Sequence, residues 1–556
     1  MAYEIESVNF RPFSDQQPGT SGLRKNVKVF LQKHYTESFV QSILDYLKKE
    51  NNGPYTIVLG GDGRYFVKEA VRLIINISAA NKVDKIYVGQ GGILSTPAAS
   101  HLIRLHNATG GILLTASHNP GGPDKDFGVK FNLSNGGPAT SNVTNEIFEI
   151  SKKITHYRVL KDFNCSVDEI SSFTIQVDGH VTVVEVIDPV DAYVELMKDI
   201  FNFEQIRSLA EKPDFNIIVD SMSGVTGPYA KRIFVEELKF KKDCIVCGTP
   251  LTDFGGGHPD PNLTYANRLV RLITEGEYEF GVAFDGDGDR NMILGRKGFF
   301  VGPSDSLAVI ASKINCIKYF KANRVTGFAR SMPTTPAVDR VGELKGIPIF
   351  ETPTGWKYFG NLMDADRVCL CGEESFGTGS NHIREKDGIW AALAWLSIIA
   401  TLDKGIPEIM TEHWEKFGRY YTTRYDYENV SSESAKNMME HIEKTITAAS
   451  YPGTSFGSAA KYVVKFGDSF SYTDPIDGSV AKNQGLRVVM EDGSRIIYRL
   501  SGTGSTGATV RIYVEAYEKE KLSEENHIIL SDLCDYAIEL ARIKHFTDRD
   551  APTVIT

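Results

Sequence analysis

Two loops of this sequence carry side chains suited to the transfer of a phosphoryl group. The first, Thr115-Ala116-Ser117-His118-Asn119-Pro120, follows an apolar run at residues 111–114 and precedes Gly121-Gly122. An apolar run of strand length that ends in Asn-Pro and Gly-Gly predicts a strand whose carboxyl end opens into a tight loop. A serine in an ordinary turn usually bonds its own backbone, but Ser117 at a strand exit would be exposed and rigidly held. Ser117 is therefore the candidate nucleophile.

The second loop is Asp285-Gly286-Asp287-Gly288-Asp289-Arg290, which follows strand-like residues at 279–283. Three carboxylates packed this closely repel one another unless a cation neutralises them, which indicates a hard divalent metal. At roughly 3.3 Å per residue, an extended chain would place Asp285 and Asp289 about 13 Å apart, too far to share one ion. The glycines would let the loop curl. A calcium EF-hand is excluded, because it needs Gly and Glu where Arg290 and Arg296 stand.

A third loop, Gly372-Glu373-Glu374-Ser375-Phe376-Gly377, offers the acceptors and donors that sugar hydroxyls need, although an isolated pair of glutamates is as often a solvated face. Together with the first two loops, it resembles the α-D-phosphohexomutase superfamily, and most closely its eukaryotic phosphoglucomutases. The resemblance extends from Pro18-Gly19-Thr20-Ser21-Gly22-Leu23-Arg24 to Arg511, nearly the whole chain. The Ser-Phe-Gly form of the third loop is similar to that of members that act on glucose.

The resemblance implies an enzyme of the isomerase class that works as an intramolecular phosphotransferase. Such an enzyme converts α-D-glucose 1-phosphate reversibly to D-glucose 6-phosphate through a phosphoserine and a glucose 1,6-bisphosphate intermediate, which also serves as activator. Here Ser117 would carry the phosphate. The resemblance further implies one Mg²⁺, with ligands from the phosphate on Ser117 and from the three aspartates Asp285, Asp287 and Asp289.

The remaining site residues also follow from the resemblance. His118, Lys130 and Lys386 are the candidates for moving the hydroxyl proton, and the sequence does not rank them. Arg24 and Arg290 would stabilise the charge of the group in transfer. The residues that would bind substrate at the sugar and at its far phosphate, beside Arg24, Ser117, Asp289, Arg290 and Lys386, are Thr354, Gly355, Glu373, Ser375, Arg499, Ser501, Thr503 and Arg511.

Two of these assignments keep an alternative when the residues are taken alone. Lys386 lies between Glu385 and Asp387 and could be an ordinary ion-pair partner. Gly502-Thr503-Gly504-Ser505-Thr506-Gly507 matches a dinucleotide-binding loop, but the residues after it alternate like a strand where that loop needs a helix. A glycine-rich turn between Arg499 and Arg511 can still bind phosphate, or it can be a hairpin turn with surface arginines.

Strand patterns alternate with helical ones, such as residues 36–49, 65–80 and 227–238, over most of the chain, which predicts α/β layers. The last segment reads as an antiparallel sheet with helices. We therefore expect three similar mixed α/β domains and a fourth α+β domain around a central cleft, which the fourth domain would close. The domains are expected at residues 1–189 with the phosphoserine loop, 190–302 with the metal loop, 303–405 with the sugar loop, and 406–556 with the phosphate-binding turn.

Composition sets the broad class of the protein. A chain of 556 residues is too long for one core, and 42% hydrophobic with 24% charged residues is ordinary for a globular protein. A net charge of −10 argues against nucleic acid or an anionic membrane as partner. The apolar run at residues 389–402 is shorter than a membrane span of about 20 residues and predicts a buried helix. The N-terminus lacks a signal-peptide pattern, and seven cysteines favour reduced thiols. We expect a cytoplasmic monomer that acts on small sugar phosphates.

Two other functions compete with this prediction. A catalytically silent relative, kept as a scaffold, would have lost the serine loop or its surroundings, whereas Ser117, the three aspartates and the sugar loop are all intact. Mannose or another hexose as the main substrate would use the same chemistry. Turnover of glucose 1-phosphate compared with that of mannose 1-phosphate separates these possibilities.

Overall fold

The computed structural model describes residues 2–19, 21–51, 53–504 and 507–556. By their internal contacts the residues form two compact units. The first unit comprises Met1–Phe328 and Gly355–Pro407, and the second comprises Ala329–Thr354 and Glu408–Thr556. The second unit therefore combines a segment from the middle of the chain with its C-terminal part.

The largest sheet of the first unit is mixed and has eight strands. Thr56–Gly61 runs parallel to both of its neighbours, so the carboxyl ends of three strands lie at one edge of the sheet, where Ser117 follows. Helices Tyr35–Glu50 and Val67–Ala80 join this sheet in one buried apolar core. In spatial order the strands are Ala2–Tyr3, Ser171–Val177, His180–Ile187, Lys85–Ile93, Thr56–Gly61, Gly110–Leu114, Asp126–Leu133 and Leu23–Asn26. The same region holds the helices Val27–Phe30, Thr96–Leu105 and Ser141–Ser151 and the strand pair Ile5–Asn9 and His156–Leu160.

The second sheet of the first unit has five strands and carries the metal loop between Phe280–Phe284 and Asn291–Gly295. The helical pattern at 227–238 forms an α-helix, Thr226–Ala230, that continues as the π-helix Lys231–Glu237. In order the strands are Ile245–Val246, Ile217–Asp220, Phe280–Phe284, Asn291–Gly295 and Phe299–Val301. The other helices are Asp191–Ile200, Phe203–Ala210 and Asn267–Glu275, with 3₁₀ turns at Lys242–Cys244, Phe254–Gly256 and Arg296–Gly298.

The sugar loop joins an antiparallel hairpin of the first unit, Leu370–Glu373 and Gly377–Ser380. The apolar run at 389–402 forms the buried helix Gly388–Leu402, as predicted, with Trp390 and Trp395 fully buried. Within the described residues no single helix is long and apolar enough to cross a membrane, although Gly388–Leu402 and Ile406–Phe417 together reach that length and composition. The other helical elements here are Pro303–Ser312, Ile314–Cys316, Lys318–Ala322 and Trp356–Asp364.

The second unit is built on an antiparallel sheet of seven strands with its own apolar core. In order the strands are Ser455–Phe456, Tyr462–Ser469, Leu486–Met490, Arg495–Gly504, Gly507–Glu518, Arg419–Val430 and Val554–Ile555. Helices Ser432–Ile446 and Asn526–Ala541 contribute to the core, so the predicted C-terminal α+β arrangement is confirmed. The unit also includes strand Phe328–Ser331 from Ala329 onward, strand Ile349–Thr352, the helices Ala337–Lys345 and Ile543–Thr547, the 3₁₀ turn Ser458–Ala460, and the hairpin Tyr472–Thr473 with Val480–Ala481. The predicted domain limits and the central cleft stay predictions.

Candidate active site

Ser117 sits where the sequence predicts it, in the turn after strand Gly110–Leu114. Its backbone has a φ of 55°, an uncommon value for a residue other than glycine. The expectation of an exposed serine is wrong: the exposed fraction of Ser117 is 3%, because the aspartate loop, to which its hydroxyl donates, covers the turn. The backbone N–H of Ser117 donates to Thr115 Oγ1 over 2.7 Å. Such strained backbone persists only where its surroundings fix it, and it is frequent at functional sites.

A buried ion pair fixes this turn. Arg64 Nη2 donates to the carbonyl oxygen of Ser117 over 2.8 Å, and Arg64 Nε donates to Asp62 Oδ2 over 2.9 Å. The hydroxyl of Thr115 donates to the same oxygen of Asp62 over 2.6 Å. Both the carbonyl and the N–H of Ser117 are thus bound, directly or through Thr115, to the Asp62–Arg64 pair, which is essentially inaccessible to solvent.

The three aspartates of the second loop lie together beside Ser117. One carboxylate oxygen from each of Asp285, Asp287 and Asp289 lies within 4.8 Å of the other two. The Ser117 hydroxyl donates to Asp285 Oδ2 over 3.0 Å. The predicted curl of the loop is confirmed, with Gly288 at a φ of 80°, in the region that favours glycine.

The donor set of this cluster fits a hard divalent cation. All three aspartates are buried, and the Oδ1 atoms of Asp287 and Asp289 find no hydrogen-bond partner in the described part of the chain. Burial, followed by the charges of Asp287 and Asp289, raises the pKa of Asp285 well above its ordinary value. Buried carboxylates with free oxygens are costly without a cation, so the cluster could bind a metal through Asp285, Asp287 and Asp289.

Cationic side chains surround the same cluster. Lys386 Nζ lies 3.4 Å from Asp289 Oδ2, and Arg290 Nε lies 3.9 Å from Asp289 Oδ1. Burial opposes the charge of Lys386, but Asp289 and the nearby glutamates outweigh it and raise its pKa. Arg24, on strand Leu23–Asn26, has a buried Nε without a hydrogen-bond partner among the described residues. Burial lowers the pKa of Arg24, against the opposing charge of Asp287.

The carboxylates beside Lys386 in the sequence have other partners. Glu385 accepts hydrogen bonds from Lys130 Nζ and from Asn132 Nδ2. Asp387 accepts from Tyr193 over 2.6 Å and lies 2.9 Å from His382 Nε2. Lys386 therefore pairs with Asp289 of the metal loop and not with Glu385 or Asp387, its neighbours in the sequence.

His118 also faces the site with an unused nitrogen. Its Nδ1 is buried and makes no hydrogen bond to any described residue. Burial, followed by the charges of Arg290 and Arg24, lowers the pKa of His118 well below its ordinary value. Its ring stacks with that of His258, with centroids 6.2 Å apart and planes at 7°. His258 is a neighbour that sequence reasoning did not place.

The sugar loop is tied to the metal loop within the first unit. Glu373 is buried and accepts from the backbone N–H of Gly355 over 2.9 Å. The carbonyl of Phe376, one residue after Ser375, accepts from the N–H of Asn291 over 3.0 Å. Thr354 belongs to the second unit, where its Oγ1 is buried without a hydrogen-bond partner in the described ranges.

Three of the predicted far-phosphate residues, Arg499, Ser501 and Arg511, share one face of the second unit's sheet. Arg499 lies directly opposite Arg511, and Ser501 lies opposite Thr509, so their side chains project from the same face. Arg499 Nη1 donates to Tyr513 Oη over 3.4 Å, and Arg511 Nε lies 3.5 Å from Asp426 Oδ2. Ser505 and Thr506, and the side chain of Thr503, lie outside what the structure describes. The strand that begins at Gly507 confirms that this turn does not open a dinucleotide-binding helix.

Family models match consecutive parts of the chain. Three describe the alpha/beta/alpha domains I, II and III of phosphoglucomutase/phosphomannomutase, and they match residues 15–158, 191–298 and 303–417. A fourth, the C-terminal domain of phosphoglucomutase-1, matches residues 419–553. The chain belongs to the phosphoglucomutase/phosphomannomutase family.

Full-length relatives support the same family assignment. The chain is 55% identical to phosphoglucomutase 1 of Drosophila melanogaster over 562 residues and 51% identical to phosphoglucomutase-1 of Homo sapiens over 560 residues, with 100% of each chain covered. The crystal structure of pp63/parafusin, a phosphoglucomutase from Paramecium, in an open form has a TM-score of 0.93 and 46% identity, again over 100% of both chains. The predicted family, fold class and phosphoglucomutase type of enzyme, an isomerase that works by phosphoryl transfer, are confirmed.

Sequence reasoning missed several residues that position this phosphoglucomutase-type site. Asp62 and Arg64 hold the Ser117 turn, Thr96 donates to Asp287 Oδ2 over 2.8 Å, and Glu385 engages Lys130. A signal for the first pair existed, because Asp62-Gly63-Arg64 follows a strand parallel to the one that leads to Ser117. Polar side chains at the carboxyl ends of adjacent parallel strands meet at the same edge of a sheet.

Proposed function

We propose that this chain converts α-D-glucose 1-phosphate to D-glucose 6-phosphate and back, with Ser117 as the residue that carries the phosphoryl group. The observation that carries the proposal is the contact of 3.0 Å between Ser117 Oγ and Asp285 inside the buried aspartate cluster. A nucleophilic hydroxyl held beside three carboxylates suits phosphoryl transfer with a metal and little else.

We propose Mg²⁺ as the metal, held by Asp285, Asp287, Asp289 and an oxygen of the phosphate on Ser117. Mg²⁺ prefers a few carboxylate oxygens together with phosphate oxygens, and when bound it neutralises the charge that develops on the group in transfer. The chain itself contributes rigid placement. The bonds from Arg64 and Thr115 keep the Ser117 turn in one conformation, so its oxygen stays aligned with the incoming hydroxyl.

Three side chains stay candidates for receiving the hydroxyl proton of the substrate. Lys130 is already bound by Glu385, whereas Lys386 forms an ion pair with Asp289 of the metal loop and His118 has an unused Nδ1 within the described residues. These contacts favour Lys386 and His118 over Lys130. Arg24 and Arg290 would stabilise the transferring charge from the positions that flank the aspartates.

The intermediate in this proposal is glucose 1,6-bisphosphate, which would also reload the enzyme as an activator. Glu373, Ser375, Gly355 and Thr354 would hold the sugar hydroxyls in either orientation. Arg499, Ser501, Thr503 and Arg511 would bind the phosphate that is not in transfer, because a reaction through a bisphosphate needs a second anion site. In the part of the chain that the structure describes, the seven cysteines are thiols rather than disulfides, which suits a reducing compartment, and we expect a cytoplasmic monomer.

The experiment is a comparison of Ser117→Ala with Ser134→Ala, a change at an exposed serine nearby. Both proteins are assayed with glucose 1-phosphate and with mannose 1-phosphate, each with a trace of the matching hexose bisphosphate. We expect Ser134→Ala to convert glucose 1-phosphate like the wild type and Ser117→Ala to lose turnover while keeping its circular dichroism spectrum. Mass spectrometry of the peptide at residues 111–130 should find phosphate only where Ser117 is present. Turnover by Ser117→Ala, or phosphate on another residue, would overturn the proposal.

A further inference from the structure

A cluster of charged side chains in the second unit has one carboxylate at its centre. Glu351 Oε1 accepts from Arg330 Nη1 over 2.8 Å, and Glu351 Oε2 accepts from Arg487 Nη1 over 2.7 Å. Arg495 Nη1 approaches Glu351 Oε1 at 3.5 Å. We call Glu351 and these three arginines the Glu351 cluster.

Each arginine of the Glu351 cluster also has a carboxylate of its own, bound through two nitrogens. Arg330 binds Asp339 at 2.8 and 2.7 Å. Arg487 binds Asp468 at 2.9 and 2.6 Å, and Arg495 binds Glu515 at 2.7 and 2.9 Å. Every arginine would therefore keep a bidentate partner without Glu351. What Glu351 adds is a link among the three pairs.

The arginines come from two parts of the second unit that are far apart in sequence. Arg330 lies in Phe328–Ser331, while Arg487 and Arg495 lie in neighbouring strands of the seven-stranded sheet. Arg495 also donates to the carbonyl oxygens of Met332 over 3.2 Å and Thr334 over 2.9 Å. The Glu351 cluster therefore joins the middle segment, Ala329–Thr354, to the sheet of the C-terminal part.

Both sides of this link lead to predicted substrate contacts. On one side, Glu351 lies in strand Ile349–Thr352, which leads directly into Thr354 of the sugar site. On the other, Arg495 and Arg499 are four residues apart in one strand, so their side chains project from the same face. Arg487 lies opposite Ile497 and belongs to that face as well. A side chain added at Gly485 would meet both Met332 and Arg499, which shows how closely the middle segment approaches the phosphate-binding residues.

We propose that Glu351 is a positioning residue that holds Thr354 and the phosphate-binding face, Arg499, Ser501 and Arg511, in one fixed arrangement. The inference rests on the proposed function, because it assumes that these residues bind substrate. A carboxylate shared by three guanidinium groups restrains the middle segment against the sheet in more directions than a single ion pair would. A sugar phosphate that contacts Thr354 and Arg499 at once then meets a preorganised site and need not order it on binding.

The test is the Glu351→Gln variant, assayed for conversion of glucose 1-phosphate. Glutamine keeps the size of the side chain and removes its charge, and each arginine retains its own carboxylate, so the fold should survive. We expect KM to rise about tenfold, within the usual range for couplings between sites, while kcat changes little. The reason is that transfer at Ser117 uses groups of the first unit, which this substitution leaves intact.

Two further variants separate positioning from mere stability. Asp339→Asn removes the private partner of Arg330 and should lower the melting temperature without changing KM. Arg499→Met should raise KM by itself, and the double variant Glu351→Gln with Arg499→Met should bind no worse than Arg499→Met alone, because both changes act on the same contact. An unchanged KM in Glu351→Gln, or additive effects in the double variant, would overturn the inference. An unchanged KM in Arg499→Met would instead refute the assignment of the phosphate site in the proposed function.

Discussion

The hydroxyl of Ser117 lies 3.0 Å from Oδ2 of Asp285, although 168 residues separate them in the chain. Each residue follows a strand of a different sheet in the first unit, Gly110–Leu114 and Phe280–Phe284. The N–H of Thr96 donates to the carbonyl oxygen of Asp287 over 3.0 Å and adds a backbone contact between the same two regions. The nucleophile and the metal cluster are thus held by rigid elements on both sides, and each can be tested separately.

Replacing Asp287 by Asn should abolish the stabilisation of the folded protein by Mg²⁺. The change removes one of three clustered charges and leaves the size of the side chain intact. A ligand that binds only the folded state stabilises it by about 2.7 kcal/mol at a hundred times its dissociation constant. We expect Mg²⁺ to raise the melting temperature of the wild type and not that of Asp287→Asn, as measured by differential scanning fluorimetry.

The control for this prediction is Asp253→Asn, a change at the carboxylate that caps the 3₁₀ turn Phe254–Gly256, outside the cluster. Its response to Mg²⁺ should equal that of the wild type. Chelation with EDTA should remove the added stability and the activity together. If Asp287→Asn were stabilised by Mg²⁺ as strongly as the wild type, the three aspartates would not be the metal site.

Replacing Thr115 by Val should slow turnover much more than it weakens the fold. The Thr115 hydroxyl donates to Asp62 and accepts from the N–H of Ser117, so its loss frees the turn that holds the nucleophile. A misplacement of about 1 Å at a reacting group can cost roughly 100-fold in rate. We expect kcat to fall by about that factor, with a loss of folding free energy of about 1–3 kcal/mol from the unpaired groups.

The matched control is Thr109→Val in the same region. The Thr109 hydroxyl oxygen accepts from the N–H of Thr56 over 3.1 Å. This comparable bond lies just before strand Gly110–Leu114, at the opposite end of the strand from Ser117. Its loss should lower the melting temperature and leave kcat near the wild-type value. Equal effects of the two substitutions on kcat would mean that the Thr115 bond serves stability alone.

The sequence predicted the reactive residues of the site better than the residues that hold them in place. Ser117 and the aspartates stand in short loops after apolar strands, and both the strand and the loop leave a local pattern in the sequence. Arg64 also follows a strand, but its bond to Ser117 can be predicted only once it is known which strands are neighbours in the sheet. Pairings over long separations, such as Lys130 with Glu385, cannot be read from periodicity.

The fold class could be predicted from the alternation of strand and helix patterns. The local geometry of individual helices could not. The pattern at 227–238 predicts one helix, but Lys231–Glu237 is π-helical. A side chain at Gly227 would lie 2.0 Å from the carbonyl oxygen of Gly248, so tertiary packing is close at the start of this helix. Such packing decides helix details that intrinsic propensity leaves open. The Glu351 cluster is a similar case, because its charges come from four separate strands.

Replacing Glu373 by Gln should weaken binding of the sugar. Glu373 is buried and accepts from Gly355 through Oε1, which leaves Oε2 as an acceptor for a hydroxyl group. Burial raises the pKa of Glu373, against the opposing charge of Lys386. A lost hydrogen bond to a charged acceptor is worth about 1.5–3 kcal/mol, so we expect KM for glucose 1-phosphate to rise at least tenfold.

The control is Glu374→Gln, which removes the same charge one residue later. Because strand Leu370–Glu373 ends at Glu373 and Glu374 lies in the turn after it, this change should affect KM much less. Steady-state kinetics of both variants with glucose 1-phosphate check the prediction. A larger effect of Glu374→Gln than of Glu373→Gln would show that Glu374, and not Glu373, contacts the sugar.

The stability difference between the wild type and Glu351→Gln should depend on pH. Burial opposes ionisation of Glu351, but Arg330, Arg487 and Arg495 outweigh it and lower its pKa from 4.5 to about 2. A carboxyl group with a lowered folded-state pKa stabilises the fold fully above the unfolded value and loses that contribution as pH falls through the folded one. The two values correspond to about 3 kcal/mol at neutral pH.

We therefore expect Glu351→Gln to unfold at lower urea concentration than the wild type at pH 7. The difference in the free energy of unfolding should be up to about 3 kcal/mol. The gap should stay constant down to about pH 5 and narrow between about pH 4.5 and pH 3, as Glu351 of the unfolded wild type becomes protonated. Urea titrations followed by circular dichroism at each pH measure it. Asp339→Asn gives the comparison for a carboxylate that pairs with Arg330 alone among the described residues. A gap that is the same at pH 7 and pH 3 would show that the charge of Glu351 does not hold the cluster together, since a packing defect carries no proton.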